Sequence, residues 1–116
     1  MFTNRQFPRH FVETSIEVRK VDASNPSFGQ MKDISVGGLA FESETEWEIG
    51  TIIDIHILAA STFSVFGKIV WCKKILARYK VGVQFMEKDE HETIPRQRMI
   101  DELCELQTHK ATLYLP

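Results

Sequence analysis

Arg5 and Arg9 set two guanidinium groups at i and i+4 in a stretch, Met1–Val12, that carries no acidic residue. Further on, Asp33-Ile34-Ser35-Val36-Gly37-Gly38 places a carboxylate and a hydroxyl two residues apart and follows them with two glycines. A guanidinium fork binds phosphate through paired, charge-assisted hydrogen bonds, and it also fits the O6/N7 edge of guanine. A carboxylate accepts from the N1 and N2 donors on the other edge of the same base. Glycines allow positive φ and let a ligand come close to the backbone. Together these residue types suit a small, planar, multiply anionic ligand carrying guanine and phosphate. Each fragment also has a plain structural reading, as solvated charges on a chain end or as turn residues ahead of a bend. Their co-occurrence favours a site.

The elements that must position these groups follow from period-two alternation. A first strand is expected within Phe11–Val21, with Val12, Thr14, Ile16 and Val18 on one face. After the turn cluster at Asp22–Ser27, a second strand runs over Phe28–Ser35 and a third over Leu39–Ser43, with Gly37-Gly38 bending the chain between them. A fourth strand covers Thr51–Leu58, a fifth Phe63–Lys74 and a sixth Tyr79–Phe85. In the second strand Asp33 and Ser35 share a face, while Ile34 points the other way, into the core. Apolar spacing then turns helical, and a helix is expected over Ile94–Thr108, with Thr93 as N-cap and Pro95 in its first turn. Ala111–Leu115 reads as a docked tail or a frayed end. Six short strands and one helix predict a mainly β fold: a six-stranded antiparallel barrel with a C-terminal α-helix packed on it.

Composition narrows the function. The chain has 116 residues and a formal net charge of −2, which fits one soluble domain and argues against a general nucleic-acid binder. No apolar run is long enough to span a bilayer, and the N-terminus lacks a signal-peptide layout. Asp33-Ile-Ser35-Val-Gly37 departs from a nucleophile elbow at its first position, and His91-Glu92 is followed by proline at position 95, where a zinc helix needs histidine. The four histidines show no ligand spacing, and Cys72 and Cys104 read as packing residues. Neither an enzyme nor a metal site is expected.

The paired motifs resemble those of the PilZ domain family, Arg-x-x-x-Arg followed by Asp/Asn-x-Ser-x-x-Gly. The resemblance extends to Gly67–Trp71 and Val81–Phe85, which look like that family's last two barrel strands, and to the helix after them. It implies a bacterial, cytoplasmic receptor for cyclic di-GMP with no cofactor. Arg5 and Arg9 would clamp the ligand from a mobile arm, residues 1–10. Asp33 and Ser35 would line the barrel face, Gly37 and Gly38 would leave room, and Trp71 would either stack on a base or pack in the core. Residues 11–109 would form the barrel and helix, and 110–116 a tail. Asn4 stands where the family often has arginine, which leaves one ligand or a stacked pair open. As a stand-alone domain the chain would order its arm on binding and signal through an unidentified effector protein, in motility or biofilm control. DNA, RNA and membrane insertion are not expected. The alternative is a ligand-free docking module on the same fold, for example in motility or pilus regulation.

Overall fold

Alternation along the chain produces six strands: β1 (Thr14–Lys20), β2 (Ser27–Ile34), β3 (Gly38–Ser43), β4 (Ile52–Leu58), β5 (Thr62–Ile75) and β6 (Arg78–Met86), followed by helix α1 (Arg96–Leu113). The computed structural model describes residues 8–23, 25–59, 62–86 and 96–113, with side chains as far as Glu105. Every neighbouring pair is antiparallel. The order β1-β2-β3-β6-β5-β4 closes on itself through β4 and β1, so the sheet is the expected barrel.

The inward positions are the alternate apolar ones. Ile16, Ile53, Ile55, Ile57, Ile69 and Val81 are fully buried, and β-branched side chains of this kind pack well on a pleated surface. Met99, Ile100 and Leu103 of α1 join the same core, with Cys72 and Cys104 packed against it. Arg96 fixes the start of the helix over the end of β6. Its Nη2 donates to the Met86 carbonyl at 3.0 Å, and its guanidinium lies 5.2 Å from the Phe85 ring centroid. Burial, and then the neighbouring Asp101 carboxylate, push the Cys104 thiol above its ordinary range, which keeps it protonated and unreactive at neutral pH. The helix continues past the expected end at Thr108 to Leu113, so the first four residues of the expected tail, Lys110–Leu113, are helical. Neither glycine nor proline interrupts that stretch before Pro116. Thr93 and Pro95 lie outside the described residues.

The tryptophan of the core is Trp47. It is 7% exposed, meets Phe41 edge-on with ring centroids 6.3 Å apart, and donates from Nε1 to the buried Ser43 hydroxyl at 3.1 Å.

Strict alternation fails at two places, each beside a residue of the candidate site. β2 carries a bulge between Met31 and Asp33, and β5 carries one between Ile69 and Trp71. Met31 and Ile69 are fully buried. Were Lys32 and Val70 regular strand positions, Asp33 and Trp71, two residues on, would also point inward. The bulges turn both side chains to the outside of the barrel.

The β5–β6 hairpin closes on Leu76-Ala77 between the paired Ile75 and Arg78. Leu76 has φ 56° and is 92% exposed, so it sits where asparagine or glycine is favoured and makes little contact. Leu76→Asn is therefore expected to stabilise the protein by about 0.5–1 kcal/mol, seen as a higher urea midpoint at unchanged slope. A lower midpoint would show that the leucine contributes packing.

Candidate ligand-binding face

Asp33 enters the site through its neighbour. Ile34 is fully buried, which anchors this end of β2 and leaves Asp33 facing outward. The backbone of His10 pairs with that of Ile34 in both directions, at 2.8 and 3.0 Å, and this lays the N-terminal segment along β2. Arg9 is thereby held beside Asp33. Its Nε donates to Asp33 Oδ1 at 3.0 Å, and its Nη2 donates to the same oxygen. The Asp33 side chain is 5% exposed and that of Arg9 22%, so the pair is largely withdrawn from water. The sequence reading treats these residues as two separate ligand contacts, whereas the structure pairs them with each other. Arg5 lies outside the described residues.

Ser35, Gly37 and Gly38 form the turn that follows. The Ser35 amide donates to the Gly38 carbonyl at 2.8 Å, and the Ser35 hydroxyl accepts from the Gly37 amide at 3.2 Å. The hydroxyl is thus turned onto its own turn, as short polar side chains commonly are. β2 stops at Ile34, so Ser35 lies one residue past the strand on which it was expected. Gly38 is needed for strand packing, because a Cβ there would run into the Val83 carbonyl of β6. The described glycine with positive φ is Gly50, at 95°, and neither Gly37 nor Gly38 shares that conformation.

Trp71 is not a core residue. It is half-buried and stands apart from the buried core. A Cβ on Gly82 would strike its indole ring, and Gly82 lies between the inward-facing Val81 and Val83. The ring therefore lies on the outer surface, spread over the bare backbone of β6. Lys73 Nζ stands 5.7 Å from its centroid.

Register places these groups in one line. Asp33 pairs with Ala40, Ala40 with Gly82, and Gly82 with Trp71. A row thus runs across the outside of four strands from Asp33 to Trp71, whose backbones are about 14 Å apart by strand spacing, with the indole reaching back over β6 toward the ion pair. The two positions between them are the smallest residues. Asp33 and Trp71, its two ends, are the positions that the bulges re-aim. Ala40 and Gly82 are missed by motif reading, although Gly82 had a signal: a glycine inside an apolar strand often marks close approach. Chemically, the row offers an ion pair able to engage a base edge or a phosphate and a stacking surface, with the buried Ala40 and Gly82 between them. Among the described residues no group of three histidine, cysteine or acidic side chains could hold a metal, and no helix is long and apolar enough to cross a membrane.

Comparison with known proteins bears on the fold. The PilZ domain family model matches residues 3–105. The PilZ domain of YcgR from Escherichia coli, solved with c-di-GMP, superposes with a TM-score of 0.73 at 17% identity, over 95% of this chain and 98% of that one. The K. pneumonia MrkH–c-di-GMP complex gives 0.70 at 14% identity, over 95% of this chain and 55% of that one. The Bacillus subtilis inhibitor of motility, MotI/DgrA, gives 0.63 at 11% identity, over 99% and 55%. The chain thus spans the isolated domain but about half of the longer proteins. No curated protein is significantly similar to it in sequence.

Proposed function

The chain belongs to the PilZ domain family, and from that premise we propose that it is a receptor for cyclic di-GMP, acting by binding and not by catalysis. The observation that carries this reading is the outer row itself. Its Arg9–Asp33 pair and its indole offer complementary groups to a ligand of two guanines and two phosphates. Asp33 accepts from a guanine N1/N2 edge while Arg9 turns donors toward phosphate or the O6/N7 edge, and Trp71 stacks on a base. Ser35, Gly37 and Gly38 hold the turn that keeps Asp33 in place.

Binding draws Arg5 onto the same face and fixes residues 1–7 against it. Ordering costs about 1–2 kcal/mol per backbone residue, offset by charge-assisted bonds worth about 1.5–3 kcal/mol each. Arg9 and His10 are already tethered to β2 and need little ordering. The arm and ligand together then present a surface to an effector protein. Titration calorimetry with cyclic di-GMP tests the binding. Saturable heat that GTP does not reproduce is the expected result, and no heat would favour a docking module that needs no ligand.

A further inference from the structure

One row further along the same face, Lys73 and Lys80 stand directly opposite each other on β5 and β6. Like charges at such a position destabilise a sheet. The usual reason for lysines on strands, protection of a free edge, accounts for Lys73, because β5 beyond Ile69 has no described backbone partner on its β4 side. It does not account for Lys80, since β6 is paired with β3 on one side and β5 on the other. Nor does Glu42, which faces Lys80 from β3, explain the pair. Its carboxylate is already shared by Lys32 at 3.8 Å and Arg78 at 3.6 Å. Lys80 is therefore positive charge that strand pairing does not account for, held opposite a Lys73 whose ammonium lies over the Trp71 ring.

We infer that Lys73 and Lys80 form a second anion site that holds a phosphate of cyclic di-GMP once a base rests on Trp71. The inference rests on the reading of this face as the cyclic di-GMP site. Two residues of strand separate the lysine pair from Trp71 and Gly82, about 7 Å. That spacing lets a phosphate attached to the stacked nucleoside reach the two ammonium groups. A recess of about 340 Å³ opens between Glu42 and the hairpin at 75–80, with Lys80 in its wall, and gives the ligand room on this side. The far end of the row, at Arg9 and Asp33, takes the opposite guanine. The lysine pair thus makes the site two-ended and matches a ligand that carries two phosphates.

Calorimetry on the full chain tests this with Lys73→Gln, Lys80→Gln, the double variant, and Lys74→Gln as a charge-matched control. Lys74 neighbours the pair but faces away from it, opposite Tyr79. The double variant is expected to bind cyclic di-GMP at least about tenfold more weakly and with less salt dependence, while its melting temperature is unchanged or raised. Each single variant removes one of two repelling charges and shows part of the loss. The Lys74 variant stays within about twofold of wild type. Wild-type affinity in the double variant, or an equal loss in Lys74→Gln, would overturn the site and leave the receptor reading standing. Failure of the wild-type protein to bind cyclic di-GMP would overturn both.

Discussion

Replacing Arg9 with alanine is expected to weaken cyclic di-GMP binding at least about 100-fold while the barrel stays folded. Two charge-assisted bonds leave with the guanidinium, each worth about 1.5–3 kcal/mol. The ligand also meets an Asp33 carboxylate that has lost its arginine partner. The same variant has a stability signature that follows from unequal burial. Asp33 is fixed to β2 and is 5% exposed beneath Arg9, whereas Arg9, at 22%, is the freer partner. Losing Arg9 strands a nearly buried carboxylate, so Arg9→Ala destabilises by about 1–3 kcal/mol. Losing Asp33 lets the arginine swing outward, so Asp33→Ala costs less. The double variant recovers part of the Arg9→Ala loss, because no unpaired buried charge remains. Thermal melts of the three variants check the ranking, and calorimetry checks the binding. An Arg9→Ala protein that binds like wild type would remove the pair from the site.

Ile34→Ala is expected to cost about 2–5 kcal/mol, read as a lower urea midpoint with little change in slope. The side chain is fully buried, and its backbone carries both bonds to His10. Its truncation therefore opens a cavity under the end of β2 that aims Asp33. Binding weakens along with stability, since Arg9 reaches Asp33 through the same bridge. Phe11, 82% exposed in the adjoining segment, makes the contrast: its alanine variant stays within about 0.5 kcal/mol of wild type. A loss below about 1 kcal/mol at Ile34 would mean that the end of β2 is held by something other than its packing.

Much of this was legible in the sequence. All six strands and the helix lie close to where alternation and helical spacing put them, because a closed barrel imposes one inward and one outward face on every strand. Ile53, Ile55 and Ile57 were unambiguous for that reason. The motif residues were legible as chemistry, but their relations to one another were not. The Arg9–Asp33 pair depends on a single backbone bridge at His10, for which local sequence has no signal. The outward aim of Trp71 depends on a bulge at Val70. Period-two counting from Ile69 would bury that ring, and nothing in the residue types of Gly67–Lys74 announces the inserted residue. The pairing of Lys73 with Lys80 is likewise a matter of register, which the sequence of either strand alone leaves open.

The most direct test of the central claim uses the two indole N–H signals in a nitrogen–proton spectrum of the whole chain during a cyclic di-GMP titration. Trp47 and Trp71 are its only tryptophans, one in the core with its N–H bonded to Ser43 and the other on the outer row. A saturable shift of the Trp71 indole, together with the amides of Asp33, Ala40 and Gly82, is expected while the Trp47 indole stays where it is. Binding that leaves Trp71 and Asp33 unmoved, or no shift at all, would contradict the account.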